Sequence, residues 1–210
     1  MEKRGMLLIL SGFSGAGKGT VVKGLMKQGQ FALSISATTR SPREGEVDGR
    51  DYFFISHQEF ETMIREAALY EYATYCGNHY GTPREYVDKQ MAQGRDVILE
   101  IEMQGALQVK KMFPEAVLIF IVPPTVTVLK ERLMHRGTEE MDVIMRRLKR
   151  SSEEARSMDQ YDYIVVNDQL EPCIEAIVHI VEAERQRGFR SRRLQQKFID
   201  EFALILKGDN

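Results

Sequence analysis

The segment Ser11-Gly12-Phe13-Ser14-Gly15-Ala16-Gly17-Lys18-Gly19-Thr20 constrains the fold more than any other part of the chain. It follows directly on an apolar run at 6–10 and leads into a stretch of helical character. Gly12-x-x-x-x-Gly17-Lys18 is the P-loop pattern in the strand, loop and helix setting that gives it meaning. Small residues let consecutive backbone N–H groups turn inward around a phosphate, and the helix behind them adds the positive end of its dipole. Lys18 brings a full charge to the β- and γ-phosphates of a nucleotide. A glycine-rich turn with a chance lysine is the competing explanation, and the flanks argue against it. Gly12, Ser14, Gly15, Ala16, Gly17, Lys18, Gly19 and Thr20 are therefore the candidate triphosphate contacts. The residue after Lys18 is Gly19, so the hydroxyl that ordinarily meets Mg²⁺ there is missing. That contact falls to Thr20 or to a water.

Further apolar runs at 97–101, 117–122 and 163–166 do not alternate, which suits strands buried on both faces of a parallel sheet. Helical periodicity lies between and after them: Ile174, Ile177, Val178 and Val181 share one face. Strands alternating with helices predict an α/β fold. The stretch from Phe31 to about Thr82 differs, with short β-like pieces at 33–37 and 52–55 between turn signals such as Ser41-Pro42 and Asp48-Gly49. It reads as a β-rich insertion between the first and second core strands. From Leu170 the chain reads as helical to its end, with Leu194, Phe198, Phe202 and Leu206 in one apolar stripe. The expectation is a single domain over 1–210, with a core at 1–33 and 83–210 and a lobe at about 34–82.

A net charge of −2, from 29 basic and 31 acidic residues, gives no global pull toward nucleic acid or anionic lipid. Any polyanion site must come from local clustering. Cys76 and Cys173 lack metal-ligand spacing and read as reduced thiols. No stretch approaches the roughly 20 apolar residues of a membrane span, and the run at 6–10 is too short for a signal peptide. A cytoplasmic protein is expected. His57, His79, His135 and His179 show no metal spacing and read as structural or surface residues.

The insertion narrows the reaction. Ser36-Ala37-Thr38-Thr39-Arg40-Ser41-Pro42-Arg43 sets two arginines three apart around a stiffening proline, and a planar guanidinium suits the paired oxygens of a terminal phosphate. Together with Gly45-Glu46-Val47-Asp48-Gly49-Arg50-Asp51-Tyr52-Phe53-Phe54, this resembles the signature of the guanylate kinase family. Glu71-Tyr72-Ala73, Gly77-Asn78-His79-Tyr80-Gly81-Thr82 and Ile101-Glu102-Met103-Gln104-Gly105 follow in the family's order, so the likeness runs from about Leu7 to Asp168. It implies a P-loop core, a GMP-binding lobe and a helical lid at about 125–150.

The resemblance further implies transfer of the γ-phosphoryl group of Mg-ATP to GMP, with dGMP tolerated, giving ADP and GDP. Arg40, Arg43, Tyr52 and Tyr80 would hold the GMP phosphate, and Ser36, Glu71 and Thr82 would face the base. Guanine presents N1–H and N2–H₂ as adjacent donors, for which a carboxylate is a matched acceptor pair. Glu100-Ile101-Glu102 puts two carboxylates on one face of a strand, since side chains alternate. Either or both would hold Mg²⁺ waters, or Glu102 a guanine-side contact; the family usually has Asp at that position. Arg132, Arg136 and Arg147 match the lid arginines that close on the transferred group. Lys18, Arg40, Arg136 and Arg147 are the expected catalytic cations, and Asn167, at a strand end, lies on the adenine side. Two other readings fit the same motifs less well: an interaction module without chemistry, and a kinase with another acceptor such as AMP. The sequence leaves the oligomeric state open.

Overall fold

Apolar runs too long to alternate are satisfied only in a sheet covered on both faces. In the computed structural model, which describes residues 4–75, 77–135 and 141–208, they do form such a sheet. Its strands are β1 (Leu7–Gly12), β2 (Phe31–Leu33), β7 (Asp96–Glu100), β8 (Val117–Val122) and β9 (Tyr163–Val166). They lie parallel in the order β2-β7-β1-β8-β9. In β1 the residues Leu7, Leu8, Ile9 and Leu10 are all buried, and Leu8 pairs with both Ile98 and Val117. The start of β7 is pinned by Asp96, a buried carboxylate that accepts a hydrogen bond from Met6 N at 2.8 Å.

Phe31–Leu33 belongs to the core sheet, paired with Asp96, Val97 and Ile98. Phe31 and Ala32 bury their side chains there, and three residues are too few for a periodicity to show it.

The lobe contains a second sheet of β3 (Ala37–Thr38), β4 (Phe53–Phe54), β5 (Leu69–Tyr75) and β6 (Asn78–Pro83), in the order β4-β3-β6-β5. It carries its own small core of Ala37, Phe60 and Leu69, with Phe53, Ile55, Met63 and Ile64 packed around it. Phe60 comes from helix α2 (His57–Arg65), which periodicity alone did not single out. Its start is nonetheless written in the sequence. Ser56 Oγ accepts from Glu59 N at 3.1 Å, and Glu59 accepts from Ser56 N at 2.7 Å, a reciprocal capping box.

Core helices connect the parallel strands. They are α1 (Lys18–Met26), α3 (Arg84–Ala92), α4 (Met103–Met112), α5 (Val126–His135) and α6 (Met141–Ala155). The chain forms two compact units, Met1–Cys173 and Ile174–Asn210. The second holds most of α7 (Leu170–Arg185) and all of α8 (Arg192–Gly208). The expected continuous terminal helix is interrupted by a 3₁₀ turn at Gly188–Arg190. Leu194, Phe198, Phe202 and Leu206 all lie on α8 and are exposed. Among the described residues no helix is long and apolar enough to cross a membrane. Cys173 is buried, which pushes its thiol up to about 11; Cys76 lies outside the described residues.

Candidate active site

The loop between β1 and α1 is shaped by what its glycines avoid. A Cβ on Gly12 would overlap the Ile121 carbonyl oxygen at 2.1 Å, so only glycine lets β1 leave the sheet there. Gly17 caps α1 in the left-handed region, with φ at 89°, and a Cβ there would meet Asn167 Nδ2 at 2.5 Å. Helix α1 has no acidic residue in its first turn and no side-chain cap. Its first N–H groups and positive dipole end are thus left for an anion. Lys18 Nζ reaches back across the loop to the Gly12 carbonyl at 2.7 Å. Thr20 stands exposed in the first turn, its N–H bonded to Gly17 O at 3.1 Å.

Two elements distant in sequence brace this loop. Asn167, at the end of β9, is buried and donates from Nδ2 to Ala16 O at 2.7 Å. Arg132 of α5 donates to Asn167 O at 3.0 Å. Arg147 of α6 donates through Nε and a terminal nitrogen to Ser14 Oγ, at 3.1 and 2.8 Å. The structure therefore brings Ser14, Ala16, Gly17, Lys18, Arg132, Arg147 and Asn167 together. Asn167 contacts the loop backbone, which the expectation of an adenine-side residue did not anticipate. Arg136 lies outside the described residues.

A cavity of about 260 Å³ opens in front of the loop, with Gly12, Ser14, Lys18, Glu102, Arg147 and Arg150 in its wall. Arg150 was not singled out from sequence. It sits three residues after Arg147, one helical turn on, so both arginines project from the same face of α6. Its guanidinium pairs with Glu102 and with Glu154 at 3.2 Å.

A second cavity, about 160 Å³, lies between the core and the lobe. Leu33, Ser34, Leu99 and Ile101 line it from the core side, and Ser36, Tyr52 and Thr82 from the lobe. Glu100 also borders it, which separates the two carboxylates. They do not share a strand face: β7 ends at Glu100, while Glu102 is the N-cap residue of α4 and borders the first cavity. Crowding by protein raises the Glu100 pKa, opposed by the charges of Lys18 and Lys23.

Behind Thr82 stands Glu71, buried, its Oε1 accepting from Thr82 Oγ1 at 2.7 Å. Burial raises its pKa, and the threonine bond offsets only part of that. Ser34, another residue not anticipated, has a buried hydroxyl with no hydrogen-bond partner among the described residues. A polar atom in a cavity wall without a partner is a ready contact for a ligand.

At the lobe's outer edge Arg40 lies over the rings of Tyr52 and Phe54, at 5.4 and 5.7 Å. Tyr80 stands edge-on to Tyr52 at 6.1 Å. Glu46 grips Arg40 through two hydrogen bonds, of 2.9 and 3.0 Å, and accepts the backbone N–H of Arg43 at 2.7 Å. Those bonds hold the Glu46 carboxyl below its usual range and Arg40 above its own. Arg43 itself is exposed on the turn. Arg40, Tyr52 and Tyr80 thus form one cluster with Glu46 as its anchor. Glu46 lies within the Gly45–Phe54 motif, and its role follows from the Arg40 guanidinium it holds.

The family model described as guanylate kinase matches residues 4–184. A guanylate kinase of Bacillus cereus (strain ZK / E33L) is 56% identical over 191 residues, covering 90% of this chain and 93% of the relative. One from Caldanaerobacter subterraneus subsp. tengcongensis is 48% identical over 202 residues, covering 96% and 98%. Among solved structures, the guanylate kinase of Anaplasma phagocytophilum superposes with a TM-score of 0.69 at 32% identity, covering 90% of this chain and 91% of that one.

Proposed function

This chain belongs to the guanylate kinase family, and from that premise we propose how its residues transfer the γ-phosphoryl group of ATP to GMP, giving ADP and GDP. The observation that carries the reading is the pair of cavities, one walled by the P-loop cations and one by the lobe, meeting at the segment from Glu100 to Glu102. ATP places its phosphates against the α1 N-terminus and Lys18. GMP places its base near Ser36, Glu71 and Thr82 and its phosphate toward Arg40, Arg43, Tyr52 and Tyr80. The two phosphate ends then face each other across the junction. Holding both reactants in line removes most of the entropic cost of their encounter.

The acceptor is a phosphate oxygen already ionised at neutral pH, so no strong base is required. What the chain supplies is charge. Lys18 and Arg147, with Arg132 and Arg136 as further lid cations, meet the charge that spreads over the transferred oxygens. The oxygen donors around the junction suit a magnesium ion, which prefers carboxylates, hydroxyls, waters and substrate phosphates. Glu100 Oε1 lies 3.7 Å from where a side chain on Gly19 would begin, beside the first turn that carries Thr20. These two residues would hold the ion directly or through water. When bound with ATP, magnesium neutralises the β- and γ-phosphate oxygens. A cytoplasmic location fits these substrates.

Two measurements test the reading. In a coupled assay of ADP release with magnesium, GMP and dGMP should support turnover, while AMP, UMP and CMP should not. ADP formed equally with every acceptor, or with none, would refute it. Glu71→Gln should raise KM for GMP by about 10- to 100-fold, the range expected for losing a hydrogen bond to a charged group, with KM for ATP little changed.

A further inference from the structure

A carboxylate that reads a base must be held at one depth. For Glu71, what fixes that depth comes from the core. A Cβ built on Gly105, in the first turn of α4, would stand 3.0 Å from Glu71 Oε2 and 3.5 Å from its carboxyl carbon. The first distance is well inside an ordinary van der Waals separation. The Gly105 backbone is not in the left-handed region, so no turn geometry calls for glycine there. In a helix glycine is in fact disfavoured against alanine, by about 1 kcal/mol. What glycine provides at this position is room.

The carboxylate is held from both sides. Thr82 fixes Oε1 at 2.7 Å, while Oε2 is directed at α4 and has no protein donor among the described residues. The first intrahelical bond of α4 runs from Ala106 N to Glu102 O at 3.0 Å. The N–H groups ahead of it therefore form the positive end of the helix dipole next to the buried anion. The ionised form is the one that accepts two N–H donors at once.

We propose that Gly105 is a specificity-determining positioning residue: its missing side chain lets the Glu71 carboxylate seat against α4 at the depth where its oxygens meet the adjacent N–H donors of a 2-amino-6-oxopurine. An alanine there crowds the carboxylate off that depth, so that its oxygens no longer align with the base donors. The inference rests on the assignment of Glu71 as the base reader given above.

The test is a double-mutant cycle read on GMP. Gly105→Ala should raise KM for GMP about tenfold, with kcat and KM for ATP within about twofold of the parent, and should lower the preference for GMP over AMP. In a Glu71→Asp background, where the shorter side chain leaves space for a methyl group, the same Gly105→Ala change should cost less than about twofold. An equal cost in both backgrounds, or none in either, overturns the proposal. Should Gly105→Ala alone fail to fold while the pair with Glu71→Asp folds, the steric conflict is demonstrated directly; if neither folds, the position is structural and the proposal fails. Glu71→Gln keeps the two ideas apart. If it leaves KM for GMP unchanged, the reading of Glu71 is wrong. If it cripples GMP use while Gly105→Ala does not, only the role of Gly105 is lost.

Discussion

Glu71 is a carboxylate in a place where ionisation is costly, and this has a consequence for stability. Burial raises its folded pKa above the unfolded value. Between those two values the native state binds more protons than the unfolded chain, so stability falls as pH rises through that window. Glu71→Gln removes the titration. The variant should therefore melt higher than the parent near pH 7, and that gain should shrink as the pH is lowered toward the ordinary glutamate range, as thermal melts across pH would show. GMP should act in the opposite sense on the parent, binding more tightly as pH rises and Glu71 ionises. At this scale the sequence was informative where a residue type has one physical use. Lys18 after a glycine loop and Arg40 beside a proline turn could be assigned a charge to meet. Glu46 and Arg150 could not, because a surface-type charge acquires its role only from what lies opposite. For Glu46 that is the Arg40 guanidinium six residues away; for Arg150 it is Glu102, 48 residues away.

Between elements, the links that shape the site differ greatly in what they contribute. The bond from Asn167 to Ala16 is buried and ties the end of β9 to the P-loop. Asn167→Ala should cost about 1–3 kcal/mol in denaturant unfolding, the usual penalty for leaving a buried group unsatisfied, and should raise KM for ATP several-fold through a loosened loop. The pair of Arg150 with Glu102 joins α6 to α4 with side chains 59% and 69% exposed. Pairs of that kind are screened by water and contribute little. Arg150→Ala should leave Tm within about 1 °C of the parent, so any loss of kcat in that variant reports on the cavity that Arg150 lines. Ser56→Ala, which breaks the capping box of α2, should lower Tm by about 2–4 °C. That helix was legible in Ser56-x-x-Glu59. It was not read as a helix because nine residues set among turn signals are a short window for any period to stand out.

Over the whole molecule, a net charge of −2 coexists with one cavity wall that gathers Lys18, Arg147 and Arg150. Attraction of nucleotides is therefore a local field, and added salt screens it within about 10 Å at 0.1 M. Raising KCl from about 0.05 to 0.5 M should increase KM for GMP and ATP two- to fivefold while changing Tm little, since the core is held by apolar burial. The parallel sheet was readable because its strands are continuous apolar runs. The edge strand Phe31–Leu33 and the β5–β6 hairpin were not, since a short edge piece and a half-polar hairpin derive their structure from partners far along the chain. The central place of β1 matters for how the protein is made. Its neighbours are β7 and β8, and the brace on its loop is Asn167. During synthesis β1 must wait for residues up to Val122 before it has both flanks, and for Asn167 before the loop is tied down. Nucleotide affinity thus arises late in synthesis, and a nascent chain stalled short of that asparagine should be retained poorly on immobilised ATP.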